Sequence, residues 1–146
     1  MAGEGTTESE ARLLAENLGN LLTPASAQGV AVAALRPDVQ LEAVSAFCRR
    51  NLGDPGLSPQ MVAGRFGISV CTLRLCFQKL GESFGSWVLK SRLGCCREAL
   101  RDPRRTTCSI SQIVYCWGFN HLSHFDKAFR ARFGMAPRQW RGAAHV

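Results

Sequence analysis

The chain has 146 residues, 46% hydrophobic and 20% charged, with a mean hydropathy of −0.04, values of an ordinary globular domain. No apolar run approaches the roughly 18 residues that cross a bilayer, and the opening MAGEGTTESEARLLAENL lacks the basic start and apolar stretch of a secretory signal; the expected location is the cytoplasm, with no membrane partner. The formal charge of +7 is uneven: the first 38 residues carry a net −3, and residues 39–146, with sixteen basic and six acidic side chains, carry +10. A basic domain behind a weakly acidic leader points to a polyanionic partner, nucleic acid before membrane.

Seven cysteines cannot all pair within one chain, and Cys48, Cys71, Cys76, Cys95, Cys96, Cys108 and Cys116 show no CxxC spacing. Structural zinc needs close ligand pairs. Cys116 with His121 and His124 is the one cluster to weigh, and two polar residues at a helix start is its plainer reading. The cysteines are therefore read as reduced, mostly buried small hydrophobes, with no metal and no cofactor expected.

In chain order, ARLLAENLGNLL (11–22) places Leu13, Leu14, Leu18, Leu21 and Leu22 on one helical stripe, and the stretch from Thr23 to Pro37 reads as a linker. Residues 1–38 thus form a leader, with its amphipathic helix as a docking or dimerising element or the stub of an upstream domain. From Val39 the helical pattern is nearly continuous. Val39, Val44, Phe47 and Leu52 line a first helix that Gly53-Asp54-Pro55-Gly56 ends. Ser58-Pro59 opens a short helix carrying Met61, Val62, Ala63 and Phe66. Gly67 stops it, and Ser69 caps another with Leu73, Cys76 and Phe77 inward. A long helix over Phe84–Arg101 buries Phe84, Trp87, Val88, Leu93, Cys96 and Leu100, and Asp102-Pro103 ends it. Gly94 inside it costs about 1 kcal/mol relative to alanine. Ser109-Ile110-Ser111-Gln112 has capping-box spacing and opens a short helix through Trp117. Gly118-Phe119-Asn120 turns the chain into a helix from His121 to Phe133 with Phe125 and Phe129 inward, and Pro137 starts a last turn through Trp140. The expected fold is all-α.

The two short-helix pairs are one unit used twice. Val62-Ala63 matches Ile113-Val114, Phe66 matches Trp117, Gly67 matches Gly118 and Ile68 matches Phe119, each 51 residues apart; past the turn, Leu73 matches Phe125 and Phe77 matches Phe129 at a spacing of 52. Short helix, glycine turn, short helix is the layout of a helix-turn-helix, whose second helix presents its outer face to the major groove. One copy is equally at home in an inert helical bundle; two copies on a +10 domain favour DNA. Residues 39–141 thus read as about seven helices. A helix over Phe84–Arg101 is about 27 Å long, and the flanking subdomains extend that toward the ~34–36 Å between successive major grooves.

The pattern Leu57-Ser58…Val62-Ala63…Gly67-Ile68-Ser69…Leu73…Phe77…Gly81…Arg92-Leu93…Leu100…Ser109-Ile110…Ile113…Gly118-Phe119…Ser123-His124-Phe125…Phe129-Arg130…Phe133-Gly134…Pro137…Trp140-Arg141 resembles the AraC family (AraC/XylS type) of bacterial transcription regulators over residues 40–141, with GFNHLSHFDKAFRARFGMAPRQWR its most diagnostic part. The resemblance implies a homeodomain-like fold of two helix-turn-helix subdomains (39–82 and 103–141) joined by a linking helix (83–102), the two reading successive major grooves, with binding at promoters, recruitment of RNA polymerase, and usually activation. It further implies a nucleoid-associated protein, bound as a monomer or as a dimer through an N-terminal element.

In the first recognition helix the expected DNA-facing residues are Val70, Cys71, Thr72, Arg74, Leu75 and Gln78. Arg74 leads them because a guanidinium can pair with both guanine acceptors; Thr72 and Cys71 suit thymine methyls or phosphate. Cys71 and Leu75 have a second reading as packing at the helix edge. Leu75 stands at a family position that can be a polar reader, and oxidation of Cys71 would disturb groove contact. In the second helix they are His121, Leu122, Ser123, Lys127 and Arg130, of which His121, Ser123 and Lys127 match the family's contacting positions. Asp126 is expected to orient a basic neighbour, and His124 to pack against its subdomain. Phosphate-contact candidates are the caps Ser58, Ser69 and Ser109, where helix N-termini favour anions, and Arg92, Arg138 and Arg141. Arg92 has an internal ion pair as its other reading. Cys96 departs from the family's frequent alanine. No paired carboxylates, phosphate loop or nucleophile–base pair indicates an enzyme. The competing readings are a helical protein-interaction module and a DNA-binding fragment without its sensor domain.

Overall fold

Four of the seven described helices begin at a serine cap. The computed structural model describes residues 37–145, which form seven α-helices and one short 3-10 turn, with no strand among the described residues. The leucine stripe of residues 11–22 lies outside them. Helix α1 spans Pro37–Arg50, α2 Pro59–Phe66, α3 Val70–Gln78, α4 Phe84–Arg101, α5 Ile110–Cys116, α6 Leu122–Phe133 and α7 Pro137–Ala144. Ser58 Oγ accepts the Met61 N–H at 3.2 Å ahead of Pro59, and Ser69 Oγ accepts that of Thr72 at 3.0 Å. Ser83, which the sequence pattern did not single out, accepts from Ser86 at 3.2 Å and starts α4. Ser109 closes the expected capping box: its Oγ accepts the Gln112 N–H at 3.1 Å, and the Ser109 N–H donates to Gln112 Oε1 at 2.8 Å. Each such cap contributes about 1 kcal/mol.

The helices enclose two cores threaded by α4. Phe84, Trp87 and Val88 join the first, with Val44, Val62, Leu73 and Phe77; Leu93, Cys96, Ala99 and Leu100 join the second, with Ile113, Val114, Phe125 and Phe129. The inward residues read from the repeat are fully buried in both copies: Leu73, Phe77, Phe125 and Phe129 have no accessible surface. Helix α7 runs to Ala144, further than the single turn expected. Its Trp140 lies against Phe133, with Arg97 and Arg101 of α4 5.8 and 5.7 Å from the indole centroid. At the end of α4, Asp102 caps the 3-10 turn Pro103–Arg105; hydrogen bonds from the Arg104 side chain and backbone N–H hold its carboxyl below the usual carboxylate range.

The subdomains also meet directly, along a seam that the helical pattern did not foretell. Arg92 of α4 donates from Nε to the Leu52 carbonyl at 2.8 Å and from Nη2 to that of Asp54 at 2.6 Å. The turn of the second helix pair closes over this guanidinium. A Cβ on Gly118 (φ +82°) would stand 2.7 Å from the Leu52 oxygen and 2.9 Å from the Arg92 guanidinium carbon, and one on Gly53 would stand 2.8 Å from the Cys116 carbonyl oxygen. Both glycines therefore permit backbone-to-backbone approach. Trp117 packs against both cores at the same place. Burial lowers the Arg92 pKa from its ordinary value, with the charge of Asp54 opposing the shift.

Gly118→Ala should lower stability by at least about 2 kcal/mol, since left-handed strain adds to the clash. Gly94→Ala, whose Cβ meets nothing within 4 Å, should raise it by about 0.5–1 kcal/mol. Urea unfolding midpoints measured at unchanged m-value test this pair; equal effects would contradict the seam.

Candidate nucleic-acid interface

Helix α3 buries Leu73, Cys76 and Phe77. At about 100° per residue, Cys71, Arg74, Leu75 and Gln78 then fall within about 100° of arc on the opposite side, and all four are exposed. Thr72 is half-buried at the edge of this face, its hydroxyl 2.8 Å from that of Ser69. Val70 behaves differently from expectation: it is half-buried and packs against the first core. Helix α6 repeats the arrangement. Phe125 and Phe129 are buried, while Ser123, Lys127 and Arg130 are exposed, as is His121 just ahead of the helix. Leu122, the counterpart of Val70, packs against the second core in the same way. In both copies the first helical residue stands about 100° from the outward centre, far enough round to reach the apolar interior. Cys71 and Leu75, whose alternative was edge packing, stand in solvent, Leu75 at 59% of its full exposure.

The basic candidates separate into two groups. Arg92 is engaged with two carbonyls of the seam, in place of either the phosphate contact or the ion pair expected of it. Arg141 donates from Nη2 to the carbonyls of Arg105 and Cys108, each at 2.7 Å, and to that of Thr106 at 3.3 Å, so it ties α7 to the 103–109 loop while lining the groove between α5, α6 and α7. A guanidinium with its donors on main-chain carbonyls is an internal fastener. Arg74, Lys127, Arg130 and Arg138 remain exposed.

One groove gathers candidates from three elements: Ser109 and Ser111 at the start of α5, Arg130 on the outer face of α6, and Arg138 at the start of α7, with Asp126 on its wall. Ser111 was not singled out from the sequence; its position two residues past a cap was the available signal. A second groove lies where α2 begins, between α4 and the turn before α6, and brings Ser58, Arg92 and His121 together with His124. His124 is exposed there instead of packed into its subdomain. No group of three or more His, Cys, Asp or Glu among the described residues is placed to hold a metal ion, and no described helix is long and apolar enough to cross a membrane.

Comparison with known proteins agrees with this geometry. A helix-turn-helix domain family model matches residues 62–143. The transcriptional activator RhrA of Rhizobium meliloti is 30% identical over 143 residues, covering 97% of this chain and 45% of that protein. The transcriptional activator NphR of a Rhodococcus species is 30% identical over 101 residues, covering 69% of this chain and 29% of that one. The chain thus spans less than half the length of these curated relatives. Among solved structures, a transcriptional regulator of Chromobacterium violaceum described as containing an AraC-type DNA-binding domain superposes with a TM-score of 0.66 at 30% identity, covering 73% of this chain and 93% of that one.

The cysteines divide by environment. Cys71 and Cys116 are exposed, whereas burial pushes the Cys48 thiol up to about 11 and the Cys96 thiol up to about 12. Because the thiolate is the reactive form, iodoacetamide at pH 8 should label Cys71 and Cys116 and leave Cys48 and Cys96 intact until the chain is unfolded. Peptide mass spectrometry of a time course reads the order; labelling of Cys96 as fast as Cys71 would contradict the second core.

Proposed function

The chain belongs to the AraC-type helix-turn-helix family, and from that membership we propose that it binds double-stranded DNA at specific sequences and thereby activates transcription. The observation that carries the reading is the repeated outward face. In each copy the second helix spends one side on the core and leaves the other side open, with Arg74 and Gln78 on α3 and Ser123, Lys127 and Arg130 on α6. An exposed helix face of this kind fits a major groove.

Roles follow from chemistry and exposure. Arg74 is the leading base reader, paired bidentately with guanine, and Gln78 one turn on suits adenine. Ser123 and Lys127 on α6, with His121 just ahead of it, are the base-facing set. The backbone is held by Arg130 and Arg138, with the Ser109 and Ser111 hydroxyls beside them, and by the exposed Ser69 at the start of α3. Ser58 belongs with the second groove. The +10 charge of residues 39–146 supplies the sequence-independent attraction. Function here is binding and not catalysis. RNA polymerase is the protein partner at the promoter, in keeping with the relatives named as activators, and the site of action is the cytoplasm at the nucleoid. The chain acts as a monomer on DNA or paired through its N-terminal element.

Selection from a random duplex pool tests the reading, and enrichment of one sequence family is the expected result. Recovery of no preferred sequence, with no shift of random duplex at low salt, would favour a protein-interaction module. On the selected duplex, Arg74→Ala should lose about 1–3 kcal/mol of discrimination at one base pair. Arg138→Ala should weaken all duplexes alike and reduce the slope of log K against log salt by about 0.9. An unchanged base preference in Arg74→Ala would remove that residue from the reading set.

A further inference from the structure

Leu75 stands at 59% exposure on a helix whose other large apolar residues are buried or half-buried. A single exposed leucine needs no explanation, but Leu75 has company. Cys71, one turn earlier and also exposed, is its neighbour on the same strip of α3. The two form a short apolar edge beside Arg74 and Gln78.

The internal repeat shows that this edge is not required by the fold. Leu73 and Phe77 occupy the same places in the first core as Phe125 and Phe129 in the second, and Val70 packs as Leu122 does. By the same spacing of 52, Cys71 corresponds to Ser123, Leu75 to Lys127, Arg74 to Asp126 and Gln78 to Arg130. Equivalent outward positions, free of the core in both copies, are apolar in one and polar in the other. Their difference is therefore not set by the two cores.

We propose that Cys71 and Leu75 form an apolar reading edge for thymine C5-methyl groups, so that the two recognition helices read chemically different half-sites. This rests on the DNA-binding reading above. In the major groove only thymine presents a methyl group; guanine, cytosine and adenine present donors and acceptors at the corresponding edge. A leucine placed over those strips them of water and offers no partner, which is unfavourable, whereas over thymine it covers apolar surface. Arg74 and Gln78 alongside add guanine and adenine contacts. The first half-site is thus expected to hold one or two thymines directly under α3, and the second to depend on hydrogen bonding and charge from Ser123 and Lys127. A site with such halves is asymmetric, and the chain lies on it in one orientation only.

The test uses the full chain and the duplex it selects from a random pool, with each thymine replaced singly by deoxyuridine. That change removes one methyl and leaves both hydrogen-bonding edges intact. One or two positions, all in one half-site, should each weaken binding about fourfold, the value of one buried methylene-sized group. In Leu75→Ala those positions should become insensitive while other contacts persist; Leu75 is exposed, so the variant should melt as the parent does. Cys71→Ser should reduce the effect at the adjacent position. The proposal is overturned if no thymine is sensitive in the parent, or if Leu75→Ala and Cys71→Ser both keep the parent's sensitivity at every thymine. If selection enriches no duplex, the DNA-binding reading fails first and this inference with it. An enriched duplex indifferent to uridine overturns this inference alone.

Discussion

The guanidinium of Arg92 fixes the relation between the two halves of this molecule. It is held by the Leu52 and Asp54 carbonyls of the first subdomain while Gly118, at the turn of the second, lies against its other side. A helix alone is a weak ruler, because side chains at its two ends do not prevent rotation of what they carry. Two hydrogen bonds from a charged, half-buried donor, together with two glycine-mediated backbone approaches, make the spacer and both turns one unit. The rigid spacing that two readers on one duplex require thus comes from α4 and the seam together.

Burial and exposure then share out the work of each recognition helix. Nine residues suffice for α3 because its stability comes from Leu73, Cys76 and Phe77 in the core, not from intrinsic propensity, which is marginal at that length. The outward residues carry no folding duty, which leaves their identity open to the demands of a ligand. The same holds for α6, where Phe125 and Phe129 do the anchoring. Charged residues elsewhere are not interchangeable with these. Arg97 and Arg101 lie near the Trp140 ring, and Arg141 holds three carbonyls, so these three cations also help to hold the second subdomain together.

The repeat, the serine caps and the inward residues were legible in the sequence because they are local. Capping depends on residues three apart, and a helix's inner face on spacings of three and four. The span of α4 and the inward positions of both recognition helices are therefore found where the pattern puts them. The end of α7 is not, since nothing local stops it at Trp140. Expectations about several individual residues also changed. Val70 and Leu122 lie on the shoulder of their helices, where a few tens of degrees decide between core and solvent, and His124 emerged into a groove that α4 and both subdomains line. Arg92 was legible as a family match and not as a fastener.

By itself, then, the sequence determined an all-helical chain with a duplicated turn, two inner faces and a basic outer surface, since periodicity, caps and net charge act within a few residues or by simple addition. Only the tertiary structure decided which arginines remain available, why Gly53 and Gly118 must be glycine, and that Leu75 is left in solvent. Those outcomes depend on contacts between residues far apart in the chain, such as Arg92 with Leu52 or Arg141 with Cys108, and no local spacing encodes which distant carbonyl a guanidinium will find.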